Sequence, residues 1–200
     1  MARIDVLSPP YNPDVAAYLS TTMPAGQEPI RLFRTLARNV DMATAMWPWA
    51  RHELGRSLTL SLREREILID RTCARCHCEY EWGVHVDFFR DRAGLTSAQI
   101  VSLTTGNASD PCWVVEAERL LIRVADELHD SSDVSDDLWH ALANTYNEAQ
   151  LLDILFLCGW YHAVSFVATA TRVEPEPSAP TFDSAASYSG VDGSPAFANQ

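Results

Sequence analysis

Three cysteines, two histidines and two glutamates crowd sixteen residues of this chain, "RTCARCHCEYEWGVHV" from Arg71 to Val86. Those residue types admit three chemistries: metal ligation, dithiol redox cycling and proton transfer by an acid–base set. Spacing separates them. On a helix running from about Cys78 to Arg92, Cys78, Glu81 and His85 stand at i, i+3 and i+7 and fall within an arc of ~60°. A thiol, a carboxylate and an imidazole then share one face, with Phe88 and Phe89 on or beside it. An apolar wall raises a carboxylate's pKa towards neutrality, which suits a general acid or base. In the first turn, Cys78 would also feel the helix dipole, which favours its thiolate. Glu66, on the preceding helix, can face the trio if the two helices pack antiparallel.

Each of these residues also has an ordinary structural reading. A helical cysteine is by default a small buried hydrophobe, and a Glu–His pair at i, i+4 is often a local hydrogen bond. The metal reading rests on Cys73-x-x-Cys76 with His77 and Cys78. Structural zinc sites pair such a knuckle with a second Cys or His pair, whereas Cys112, Cys158 and the remaining histidines are isolated in the sequence. Within a helix Cys76 and Cys78 would diverge by ~200°, so no metal is expected. The redox reading of Cys73 and Cys76 has no positive helix end and no imidazole to activate either thiol, and packing accounts for both.

The elements that hold this stretch read as helices throughout. "RLFRTLARN" and "DMATAMWPWARHEL" space their apolar residues at three and four, with a kink or break expected at Pro48. "SLREREILIDRT" opens on a capping box, Ser61 with Glu64; "FFRDRAGLTSAQI" reads as helix, Gly94 stop and a second capping box, Thr96 with Gln99. Residues 113–129 and 135–146 are amphipathic, and Glu148 to Thr171 forms a long apolar helix. No strand-length run alternates, so the fold class is all-α. Residues 1–30 form a proline-rich segment with a short helix between Pro13 and Met23, and residues 31–173 form the helical domain. Residues 174–200, rich in Pro, Ser, Ala and Gly, form a flexible tail or one docked on a neighbouring subunit.

Composition narrows the function classes. The net charge is −12 and all fifteen cations are arginine. A surface of that sign suits neither nucleic acid nor an anionic membrane. With no lysine in the chain, a lysine Schiff base is excluded. "LLDILFLCGWYHAVSFVATA" has the length of a membrane span, but Asp153 and His162 would sit in hydrocarbon and basic flanks are missing. A helix buried in a bundle or at a subunit interface fits better. No secretory segment is visible, and five cysteines, mostly clustered, do not form a disulfide framework, so a cytoplasmic location is expected.

"EREILIDRTCARCHCEYEWGVHV" resembles the signature of the carboxymuconolactone decarboxylase family, which includes the alkylhydroperoxidase D proteins. "EYEWGVHV" followed by "RAGLTSAQI" looks like its decarboxylase-type branch, and "NEAQLLDILFLCGWYHAVSFVATA" resembles its closing helix; the likeness runs from about Arg31 to Val173. The peroxidases carry a glutamate, a C-x-x-C pair and a histidine. Aligned on the histidine, that pattern falls on Glu66, Cys78 and His85, with Glu81 in place of the second cysteine. The resemblance implies an all-helical alkylhydroperoxidase D-like bundle forming trimers or hexamers, with the site close to subunit interfaces. It also implies a cofactor-free enzyme acting on a small carboxylated or lactone substrate, by decarboxylation or proton transfer. Glu81 and His85 would then form the proton-transfer pair and Glu66 would orient His85. Tyr80 or Arg71 would contact the substrate carboxylate, Trp82 would line the pocket and His162 would face the same cavity. A thiol peroxidase using Cys78, and a catalytically silent binding subunit, are the alternatives.

Overall fold

The computed structural model describes residues 1–187. Among them are nine α-helices and no strand: α1 (Pro13–Leu19), α2 (Arg31–Leu36), α3 (Val40–Leu54), α4 (Leu62–Arg75), α5 (Glu79–Ala93), α6 (Ser97–Thr105), α7 (Glu116–Ser131), α8 (Asp136–Ala143) and α9 (Glu148–Thr171). The architecture is all-α, and α4 is its axis. Ten consecutive residues of α4, Arg65 to Ala74, are buried, because α5, α6, α7 and α9 all pack on it. A helix covered on every side must place its polar residues against partners.

Both capping boxes form. Ser61 receives the Glu64 N–H while Glu64 accepts the Ser61 N–H at 2.8 Å, and Thr96 and Gln99 do the same for α6. α5 stops at Gly94, whose φ of +65° is the left-handed conformation that glycine adopts freely. Between α4 and α5 the chain turns in three residues. The N–H of Cys78 bonds the Cys73 carbonyl and the N–H of His77 bonds that of Ala74, a Schellman closure. His77 takes the left-handed position, φ +52°, where glycine is usual. This turn makes α4 and α5 an antiparallel hairpin, so residues far apart in sequence meet across it.

Pro48 does not break α3, which runs on to Leu54. Losing one backbone bond costs about 3 kcal/mol in a helix interior. Here aromatic packing on both sides of the proline offsets it: Trp47 meets Tyr18 and Phe33 edge-on at 6.1 and 5.7 Å, and Trp49 meets Trp160 at 5.0 Å. The proline-rich N-terminal segment likewise joins the main core through Val15, Tyr18, Leu19 and Met23. α9 is long and apolar enough to cross a membrane, yet Ile154, Leu157, Tyr161 and Val164 pack into the bundle. Its Asp153 accepts hydrogen bonds from Thr59 N and Oγ1, both at 2.7 Å, and pairs with His52 at 2.9 Å.

The expectation of a flexible or neighbour-docked tail from Glu174 is corrected for residues 174–187, which strap across α5 of their own chain; residues 188–200 lie outside the described residues. Glu176 Oε1 accepts from the Arg31 N–H and from Tyr80 Oη, both at 2.6 Å, while Phe182 packs on Trp82 at 5.0 Å and donates its N–H to Glu79. Sequence composition missed this because a few anchors carry the contact. The strap also explains Gly83. A helix-interior Gly→Ala change normally stabilises by about 1 kcal/mol. At Gly83 an added Cβ would stand 2.6 Å from the Pro180 carbonyl oxygen, so the strap must shift. Gly83→Ala is therefore expected to lower the melting temperature and speed proteolysis after Arg172. A variant more stable than the parent, with the strap equally protected, would show that this contact does not constrain the fold.

Candidate functional site

The α4–α5 hairpin brings the four residues singled out from the sequence to one place. Glu66 Oε2 lies 2.8 Å from His85 Nδ1. On the opposite edge of the imidazole, Nε2 lies 3.0 Å from Tyr161 Oη, on α9, and 3.5 Å from Glu81 Oε1. Cys78 stands at the N-cap position of α5, its sulfur near the Glu81 backbone N–H without forming a capping hydrogen bond. All of these side chains are buried, Glu66 and His85 to 1 and 3% exposure. Phe89 stacks against the imidazole at 5.3 Å and holds the Arg65 guanidinium over its face at 4.7 Å.

The electrostatics follow from this arrangement. Burial works against the charge on both members of the Glu66–His85 pair. At Glu66 the Arg65 guanidinium, 2.6 Å away, together with His85 overcomes burial and holds the carboxyl below its usual range. At His85 burial alone would remove the proton, but Glu66, aided by Glu81, pushes the imidazole up to about 9. The pair is thus a carboxylate and an imidazolium at neutral pH. Both ring nitrogens then carry protons, Nδ1–H donating to Glu66 and Nε2–H to Tyr161. Burial pushes the Cys78 thiol up, and the Glu81 N–H opposes this only in part, so the sulfur is protonated at neutral pH.

Two members of the site were not picked out from the sequence. Asp70 stands one turn after Glu66 on the same face of α4; burial, reinforced by the Glu66 charge, pushes its carboxyl well above the ordinary range. Its i+4 spacing from Glu66 was the available signal. Tyr161 is the other, the residue beside the histidine chosen in "GWYHAV". Two buried polar atoms in this neighbourhood, Asp70 Oδ1 and Glu81 Oε2, make no hydrogen bond among the described residues. Orphaned groups of this kind are rare in a packed interior and collect where a reaction or ligand needs them.

The expected substrate contacts lie elsewhere. Arg71 is committed to Asp126 at 2.6 and 2.9 Å and to the Leu103 and Gly106 carbonyls, tying α4 to α6 and α7. Tyr80 spends its hydroxyl on the Leu32 N–H and Glu176. Trp82 is fully buried under Phe182 and acts as core. His162 points to His129 rather than to His85, because one residue along a helix rotates the side chain by ~100°. Cys73 is buried beside the site, where burial pushes its thiol well up; Cys76 lies on the other side of the turn.

Residues 42–127 match the sequence profile of the carboxymuconolactone decarboxylase family. No curated protein matches the sequence significantly. The fold is shared by solved structures, two among them at low sequence identity. One is an uncharacterized peroxidase-related protein from Silicibacter sp. TM1040, with a TM-score of 0.76 at 18% identity over 90% of this chain and 95% of that one. The other is an Agrobacterium tumefaciens protein of unknown function, described as a putative antioxidant defence protein AhpD. Its TM-score is 0.63 at 17% identity, over 70% of this chain and 94% of that one.

The Glu66–His85 pair fixes the pH behaviour of the fold. A histidine raised from about 6.5 in the unfolded chain to about 9 stabilises fully below about pH 6.5, and that contribution disappears as pH rises through about 9. The lowered Glu66 acts in the opposite sense and contributes until acid protonates it. Urea unfolding is expected to show the protein losing a few kcal/mol between about pH 6.5 and 9.5, with a flatter dependence in Glu66→Gln. Equal slopes in parent and variant would contradict the pairing. With solved structures of the same fold and a profile match over part of its length, the chain is an all-α protein of alkylhydroperoxidase D-like fold whose residues 42–127 resemble the carboxymuconolactone decarboxylase family.

Proposed function

We propose that this chain is a cofactor-free acid–base enzyme of the carboxymuconolactone decarboxylase family, acting on a small carboxylated or lactone substrate. The observation that carries this reading is a buried imidazolium held by Glu66 on one side, with Glu81 and Tyr161 on the other, beside a thiol kept protonated. His85 supplies the positive charge that an acidic substrate meets. Loss of carbon dioxide leaves an electron pair at carbon, and that carbon must then receive a proton. His85 Nε2–H gives that proton, directly or through Tyr161 Oη, and Glu81 Oε1 stands close enough to Nε2 to share the transfer. Glu66 holds the ring by Nδ1 and keeps it charged; Arg65 in turn keeps Glu66 charged.

A second reading, a thiol peroxidase, is favoured by one placement: the Cys78 sulfur sits at the start of α5 near the Glu81 N–H, which favours thiolate. Burial outweighs that placement here, and Glu81 stands where a second thiol would close the disulfide. The two readings separate by mutation. A panel of small lactone acids, followed by carbon dioxide release, is expected to yield a substrate. His85→Ala and Glu81→Gln should each reduce its kcat by about 10²–10⁴-fold, with little change for Cys78→Ser. Activity untouched by the first two would end the acid–base reading. Hydroperoxide consumption abolished by Cys78→Ser would establish the second.

Assembly belongs to the same proposal. Leu152, Phe156 and Phe166 on α9 are 56, 56 and 65% exposed. Their spacing places them within ~80° of arc, a single apolar stripe that a second copy of this chain would bury. Light scattering on the full chain is expected to give a homo-oligomer, a trimer or hexamer, and Phe156→Glu is expected to shift it towards monomer. A monomeric parent at micromolar concentration would overturn this.

A further inference from the structure

Beyond the Glu66–His85 site, three helices bring a thiol and two imidazoles together. Cys76 caps the C-terminus of α4, His129 lies in the last turn of α7, and His162 sits midway along α9. Cys76 Sγ is 3.8 Å from His129 Nδ1, which is 3.1 Å from His162 Nε2, and the three atoms all lie within 4.8 Å of one another. The two imidazoles stack, with ring centroids 5.3 Å apart and planes at 29°. All three residues are half-buried, so the cluster is reachable from solvent.

Coordination chemistry requires distances close to these. Zinc bonds thiolate sulfur at about 2.3 Å and imidazole nitrogen at about 2.0–2.1 Å, so tetrahedral ligand atoms stand about 3.3–3.6 Å apart. The ring orientation also fits. His162 Nδ1 lies 2.8 Å from the Cys158 carbonyl oxygen, which can only accept, so that nitrogen carries the proton. Nε2 therefore turns its lone pair into the cluster, the arrangement by which an outer hydrogen bond orients a metal-binding histidine. The His129 Nδ1 proton must then bridge the two rings. A cation takes the place of that proton, which moves to His129 Nε2 as the ring changes tautomer. The Cys76 thiol releases its proton to solvent and bonds the ion as thiolate.

We propose that Cys76, His129 and His162 form a three-ligand site for zinc or a similarly soft divalent transition ion, with the fourth position left to water. The sequence hid this set because the two histidines stand 33 residues apart and neither forms a motif with the cysteine. Bound there, an ion clips the end of α4 to α7 and α9, two residues before Cys78. The site does not depend on the acid–base reading.

The test uses the full chain, stripped with chelator and titrated with cobalt(II). One equivalent is expected to give a near-ultraviolet thiolate-to-cobalt charge-transfer band, which zinc then displaces. Cys76→Ser should abolish the band, whereas Cys78→Ser and Cys112→Ser should retain it. Zinc competition against a chromophoric chelator should show His129→Ala and His162→Ala weakened at least about tenfold, with circular dichroism confirming that each variant is folded. Absence of the band in the parent chain would overturn the proposal. So would its survival in Cys76→Ser, or zinc affinity unmoved by His162→Ala.

Discussion

Glu66 and His85 face each other at 2.8 Å with almost no contact with water. An ion pair in that position costs several kcal/mol per ion in lost hydration, and attraction offsets this only if the remaining lone pairs and protons find partners. Arg65 takes the second Glu66 oxygen, and Tyr161 takes the second imidazole nitrogen. These partners come from α4, α5 and α9, so the pair can exist only where those three helices are fixed against one another. The burial of α4 on every side follows from this. Glu66, Arg63 and Arg71 are accommodated there because α5, α6 and α7 bring a counter-charge or a carbonyl.

Satisfaction is incomplete at two atoms, Asp70 Oδ1 and Glu81 Oε2. An unpartnered buried polar group costs about 1–3 kcal/mol. A core selected for stability alone would favour an apolar residue at Asp70, whose Oδ1 has no hydrogen-bond partner among the described residues. Keeping two carboxyl groups beside an existing carboxylate makes sense where protons are moved. The proposed function rests on this hairpin face.

Much of this was legible in the sequence. The caps at Ser61, Thr96 and Gly94 are local, and local hydrogen bonding decides them. The shared face of Cys78, Glu81 and His85 follows from helical periodicity alone. What escaped was set by tertiary contact. Residues 174–187 look too polar to fold, but Glu176 and Phe182 anchor them to Tyr80 and Trp82. Pro48 stays helical because aromatic neighbours outweigh its backbone cost. In α9 the apolar pattern does not say which face meets the site, so His162 was favoured over Tyr161, one residue and ~100° away.

The three-residue turn after α4 decides the roles of the cysteines that drew attention first. In a continuous helix Cys76 and Cys78 would diverge by rotation. Here a Schellman closure separates them instead: His77 reverses the chain, Cys76 ends one helix and Cys78 begins the next. The reversal turns Cys78 inward to Glu81 and leaves Cys76 outward against His129. The two sulfurs therefore differ in exposure, Cys78 buried and Cys76 half-buried beside an imidazole, although both lie close to Ser165 of α9. The turn that aligns α4 with α5, and so brings Glu66 to His85, is the same turn that decides which sulfur faces the bundle and which faces the His129 side.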